Sequence, residues 1–188
     1  SRRELRLFDL TRNDETKLLL SGKATSRRGW ARYPLAVVRR LARDFPSILE
    51  TRERGIDLAF TNDLPTAAGV STSSAFVVST FLAMADGFGL WDDPQFAAHL
   101  AKPQALAGYL GAVENGYALG PFAGDHGVGT FGGSEDHTAI LTCRAGALRQ
   151  VRFCPVEFER EISLPTGYVF AIASSGVEAA KADGARES

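Results

Sequence analysis

Cysteine is nearly absent from these 188 residues: Cys143 and Cys154 are the two in the chain, too few for a disulfide framework. Both fall on segments that read as neighbouring strands, so one bridge is sterically open, although reduced buried thiols are the commoner state. Excess charge of either sign is missing as well, with 21 Lys and Arg against 22 Asp and Glu and a net charge of -1. Such a chain lacks the basic field that holds nucleic acid and the polybasic patch that holds a membrane surface. Histidine is limited to His99, His126 and His137, which with two distant cysteines give no zinc spacing. The opening stretch SRRELRLFDL, charged from its second residue, does not resemble a signal peptide. The expected location is cytoplasmic. One run, 64–85, carries no charge and is long enough to span a bilayer, but Pro65, Gly69 and four hydroxyls at Ser71, Thr72, Ser73 and Ser74 suit a loop leading into a buried helix.

What is present is ordinary globular material, 45% hydrophobic and 23% charged, enough for a sizeable core. Residues 5–20 alternate apolar and polar side chains and read as one or two strands. Trp30, Tyr33, Val37, Val38 and Leu41 recur at helical spacing and predict an amphipathic helix near 30–45, with Pro34 tolerated in its first turn. Ile56, Leu58 and Phe60 predict a strand. Val77, Phe81, Met84 and Phe88 predict a helix ending near Gly87 or Gly89. A further helix opens on Asp92 or Asp93 as cap with Pro94 next, and another covers about 104–117. Seven glycines between Gly116 and Gly133 mean a tightly turning backbone. Beyond it, 134–138 reads as a short helix or turn, 139–143 and 147–153 as a hairpin, and 168–175 as a buried strand. The last residues read as the first turns of a helix. The mixture with a hairpin predicts an α+β fold.

The strongest local feature is the stretch from Pro65 to Ala75, PTAAGVSTSSA, between a strand and a helix. Small residues there let the backbone approach a ligand, free N–H groups and the helix dipole favour an anion, and the hydroxyls add donors and a possible Mg2+ ligand. It has neither the ending of a Walker A loop nor the spacing of G-x-G-x-x-G.

This stretch resembles the phosphate-binding motif of the GHMP kinase superfamily, P-x-x-x-G-L-[GS]-S-S-A. Pro65, Gly69, Ser71 and Ser73 match in place, while Val70, Thr72 and Ser74 replace Leu, Ser and Ala. The serine-rich form is similar to the galactokinase and arabinokinase branch. Trp30-Ala31-Arg32-Tyr33 resembles the W-x-N-Y helix start, and Gly132 to His137 resembles C-G-x-M-D-Q. Val113-Glu114-Asn115 resembles the helix end that supplies the family's metal-coordinating glutamate. The resemblance implies a GHMP N-terminal lobe like the second domain of ribosomal protein S5 over 1–165, and the start of a C-terminal lobe over 166–188. It implies ATP and Mg2+ as cofactors and a small-molecule sugar as the partner, phosphorylated on a hydroxyl, the anomeric one in this branch. Pro65, Ala68, Gly69, Val70, Ser71, Thr72, Ser73, Ser74 and Trp30 would hold the nucleotide. Ser73 and Glu114 would hold Mg2+, Asp136 would be catalytic, and Gly133 and His137 would face substrate.

The pattern also departs from the family. GPFAGDHGVG lengthens the spacing from Glu114 to Asp136. The N-terminal sugar motif with its catalytic arginine and most of the C-terminal lobe are missing, so a fragment is expected. Plainer roles compete at each position: Asp136 as a helix cap, Glu114 as a solvated helix-end acid, Trp30 as a core anchor, His137 as a surface residue, and the Arg27-Arg28 and Arg39-Arg40 pairs as solvated faces. A kinase-like lobe that binds ATP and sugar without turnover, or a GHMP kinase for another small alcohol, are the rival functions.

Overall fold

The structure is a computed structural model that describes residues 3–21, 29–50, 55–64, 71–153, 155–171 and 173. Alternation decides the first elements. In β1 (Glu4–Asp9), Leu5 and Leu7 are buried while Arg6 faces water; in β2 (Asp14–Leu19), Thr16 and Leu18 are buried. The two strands pair antiparallel from Glu4↔Leu19 to Asp9↔Asp14. β3 (Ile56–Phe60) adds parallel to β1, giving the order β2-β1-β3. A parallel neighbour needs a crossover. Helices α1 (Arg32–Asp44) and α2 (Pro46–Glu50) supply it, entered through a 3-10 turn at Gly29–Ala31.

Helix α3 (Thr72–Phe88) is the centre of the core. Val77, Val78, Phe81, Met84, Ala85 and Phe88 are buried, against Val37, Val38 and Leu41 of α1 and Leu5, Leu7 and Leu18 of the sheet. Full burial of each such large side chain contributes about 1.5–3 kcal/mol. The helix stops where Gly89 takes φ 70°, a conformation open to glycine at little cost. Helix α4 (Pro94–His99) starts as expected, with the Asp93 carboxylate accepting from the amides of Gln95 and Phe96. Helix α5 (Pro103–Asn115) buries Leu106, Tyr109, Leu110 and Val113. Helix α6 (Glu135–Thr142) and an antiparallel hairpin, β4 (Ala147–Arg152) with β5 (Glu157–Ser163), complete the described chain. The architecture is α+β. No helix among the described residues is long and apolar enough to cross a membrane.

Three expectations fail here. Residues 139–143 are not a strand: 139–142 continue α6, whose Thr138 and Thr142 hydroxyls donate to the carbonyls of Ser134 and Thr138 at 2.7 Å. The short run AILTC fits either period, and the helix wins because α6 packs on α5. The partner of β4 is instead β5, EFEREIS, whose charges hid an exposed strand. Tyr168, Val169 and Phe170 form no buried strand; they are 75%, 89% and 71% exposed. Cys143 accordingly lies after a helix, exposed and unbridged, while Cys154 and the helix expected at the C-terminus lie outside the described residues.

Candidate functional site

The stretch between β3 and α3 leads into the site. Pro65, Ala68, Gly69 and Val70 lie outside the described residues. The description resumes at Ser71, whose φ of 55° is left-handed, an uncommon setting for a residue with a Cβ. Its side chain does not cap the helix. Thr72 and Ser73 are half-buried and Ser74 is buried. These four hydroxyl residues therefore wrap the positive end of a helix of 17 residues.

Three helices converge on one carboxylate. Glu114 is the last residue but one of α5 and is buried, not a solvated acid. Ser74 Oγ donates to its Oε2 at 3.0 Å. His137 Nε2, from the first turn of α6, stands 2.9 Å from the same oxygen. That contact is off the line of a ring N–H, so it is electrostatic rather than a hydrogen bond. The hydroxyl brought to Glu114 is thus that of Ser74; Ser73 lies a hundred degrees round the helix. His137 is 1% exposed, which removes the surface reading of this residue. Asp136, its neighbour, points to water and makes no cap for α6. Consecutive residues of one turn thereby offer a buried imidazole and an exposed carboxylate. Gly111 permits this approach of α6 to α5, since a Cβ there would stand 2.7 Å from the Ser134 Cα.

Asn115, next to Glu114, ties the approach to α6. Its Nδ2 donates to the carbonyls of Gly111 at 3.0 Å and Gly133 at 3.3 Å, and its Oδ1 accepts from Thr130 Oγ1 at 3.2 Å. Gly133, a candidate substrate contact, is exposed on this tied turn. Neither Asn115 nor its ties stand out in the sequence, because an Asn at a helix end is ordinarily a stop signal.

The glycine-rich segment is held from the other side by α1. Arg39 Nε donates to Asp125 Oδ2 at 2.7 Å and its Nη2 to the Gly127 carbonyl at 3.1 Å. Arg43 donates to the carbonyls of Ala123 and Gly124. Arg40 is fully buried; its Nε donates to Asp44 Oδ2 and its Nη1 to the Tyr117 carbonyl, both at 3.0 Å. The expectation that Arg39 and Arg40 form a solvated face fails, because the segment they grip covers them. Arg27 and Arg28 lie outside the described residues. Burial pushes the Asp125 carboxyl up, but the Arg39 guanidinium and the Gly127 amide outweigh it, and the group titrates below the ordinary range.

Trp30 is half-buried. Its Nε1 donates to Asp14 Oδ2 at 3.2 Å, and its ring meets Phe60 and Phe76 at centroid distances of 5.6 and 6.1 Å. Phe60 ends β3 and Phe76 lies in the first turns of α3, so the tryptophan packs on both flanks of the 65–70 stretch.

The oxygen donors of this site fit a small hard cation. Mg2+ commonly takes one or two carboxylates and leaves its other positions to water and phosphate. Glu114 and the hydroxyls of Ser73 and Ser74 match that need. Among the described residues no group of three or more His, Cys, Asp or Glu is placed to hold a metal alone. A cation here would thus depend on a phosphate ligand for much of its shell.

The fold and the site together define a mixed α+β lobe with a serine-rich helix entrance opposite a buried acid. Residues 32–118 match the family model described as the GHMP kinases N terminal domain. The match includes Ser74 and Glu114 and ends before Asp136 and His137. No curated protein matches the chain. GHMP kinases are ATP-dependent phosphotransferases, which makes kinase activity the function that the family suggests.

Proposed function

We propose that the chain is the ATP-binding lobe, spanning 1–165, of a sugar kinase of the galactokinase-like type. It transfers the γ-phosphoryl group of ATP to a sugar hydroxyl, the anomeric one by analogy with that branch. The observation that carries this reading is the meeting of Ser74 and Glu114 at the N-terminal end of α3, directly after the serine-rich stretch. The start of α3 favours an anion, and a buried carboxylate beside it can hold the cation that accompanies a nucleotide's phosphates.

In this reading the amides from Gly69 to Ser74 bind the triphosphate, Pro65, Ala68 and Val70 belong to the same nucleotide-binding stretch, and Trp30 lies beside the adenine. Ser73 and Glu114 hold Mg2+, which neutralises charge on the transferring phosphoryl group. Asp136 accepts the proton of the attacking hydroxyl while the bond from the γ-phosphorus to the bridging oxygen breaks and ADP leaves. Its exposure at the start of α6 leaves it open to a substrate arriving from solvent. Gly133 and His137 flank it. The partner is a small molecule in the cytoplasm, with neither nucleic acid nor membrane involved.

The test is ADP release by the full chain with ATP and a panel of aldoses. One aldose is expected to raise the rate above the ATPase background. Asp136→Asn should lower that turnover by about 100-fold or more while nucleotide affinity stays within about threefold. Unchanged turnover in this variant removes Asp136 from the mechanism. ATP binding with no turnover on any alcohol favours a lobe that senses ATP and sugar without reaction.

A further inference from the structure

We propose that His137 is a positioning residue for Glu114: with Ser74 it fixes Oε2, so that Glu114 turns its other oxygen, Oε1, to a divalent cation. This rests on the nucleotide and cation reading given above. Two side chains from two helices approach the same oxygen, Ser74 Oγ at 3.0 Å and His137 Nε2 at 2.9 Å. No hydrogen bond to Oε1 occurs among the described residues. A carboxylate held at one oxygen offers a single, directed ligand; one held at neither can rotate away or chelate with both.

The surroundings leave His137 little else to do. It is 1% exposed, and its Nδ1 has no hydrogen-bond partner among the described residues. No Lys or Arg pairs with Glu114 among the described residues, so His137 is the one basic group in contact with a carboxylate that is 5% exposed. Burying such a charge without partners is expensive. Groups that orient a ligating carboxylate typically change metal affinity about 10- to 100-fold when removed. The family-model match stops at residue 118, so the role of His137 follows from its place in the fold.

The test measures Mn2+ binding to the ATP complex of the full chain by electron paramagnetic resonance of the free ion. ATP affinity is measured separately in EDTA by equilibrium dialysis. His137→Leu fills the space without a polar atom and should weaken Mn2+ about tenfold or more, with cation-free ATP affinity unchanged. His137→Gln returns a polar N–H group to the space beside Oε2 and should bring Mn2+ affinity back to within about threefold of the parent, which a merely space-filling role would not do. If His137→Leu does not fold, His137→Asn takes its place, since the shorter amide stops short of Glu114 and should bind Mn2+ more weakly than His137→Gln. Equal Mn2+ affinity across the parent and these variants overturns the role of His137 and leaves the kinase reading standing. A parent chain that binds no ATP overturns that reading, and this inference with it.

Discussion

Arginine–carboxylate pairs fasten two parts of this molecule, and they do so in opposite settings. On α1, the Arg40 and Asp44 side chains are 0% and 3% exposed. In the β4–β5 hairpin, Arg152 and Glu157 are 59% and 53% exposed. The separation is 3.0 Å in both pairs. Equal geometry does not mean equal energy. Water solvates whichever charge of the hairpin pair survives its partner's loss, whereas in the core the surviving charge is left to its remaining protein partners. The buried pair also has work to do for the site: it lies under the segment that runs from Glu114 to Asp136.

The largest expected effect follows from that asymmetry. Arg40→Ala removes one of the two guanidinium partners of Asp44, Arg43 Nε staying at 2.8 Å from its Oδ1, frees the Tyr117 carbonyl in the core and leaves a cavity; it should destabilise the protein by about 2–5 kcal/mol, read from the urea midpoint. A loss below about 1 kcal/mol would put this pair in the class of the hairpin and break the comparison. Because the segment beyond Tyr117 carries Asp136, the variant should lose activity even where it remains folded.

Much of this arrangement was legible in the sequence. The alternation of Leu5 and Leu7, the spacing of Val37, Val38 and Leu41, the Asp93-Pro94 start and the stop at Gly89 each state a local preference that packing then obeys. The serine-rich entrance to α3 was legible for the same reason, as was Glu114 at a helix end. What stayed hidden depends on contacts between distant segments. Arg39 and Arg40 read as surface because α1 is polar on that side; that a glycine-rich segment 77 to 88 residues later would cover them has no local signature. The close partner of Glu114 at Ser74 rather than Ser73 turns on the rotation of one helix. The run 139–143 was too short to separate helix from strand, and β5 was masked by its charges because it is exposed on both faces.

A smaller effect sharpens the contrast from the side of Tyr109. Its hydroxyl donates to Asp44 Oδ2 at 2.9 Å, within the buried pair. Tyr109→Phe keeps the ring among Phe45, Phe81 and Phe122 and should cost about 1.5–3 kcal/mol, the worth of a hydrogen bond to a charged group. Burial, with the Asp44 charge behind it, pushes the phenol well above its usual value. The raised value means that the folded state keeps a proton which the unfolded chain gives up. Stability from this group is therefore complete below the free phenol value of about 10 and falls as pH rises beyond it. Urea midpoints measured between pH 8 and pH 11 should show that alkaline decline in the parent, and a shallower one in Tyr109→Phe. Equal slopes would mean that the phenol is not sealed from water.

The smallest effect is expected in the hairpin. Arg152 Nη1 donates to Glu157 Oε2 at 3.0 Å, and its Nε lies 3.5 Å from Glu159 Oε1. Two acids near one arginine suggest a strong anchor when only distances are read. Each partner is nevertheless solvated, so its charge loses little when the arginine goes, and ordering the long side chain offsets much of the attraction. Arg152→Ala should shift the urea midpoint by an amount equivalent to about 0–0.5 kcal/mol, and less still at 1 M salt. A loss near that of Arg40→Ala would show that something covers this hairpin in solution. The exposed Leu148, Phe158 and Ile162 on the same two strands would then be the surface to map next, by amide exchange across β4 and β5.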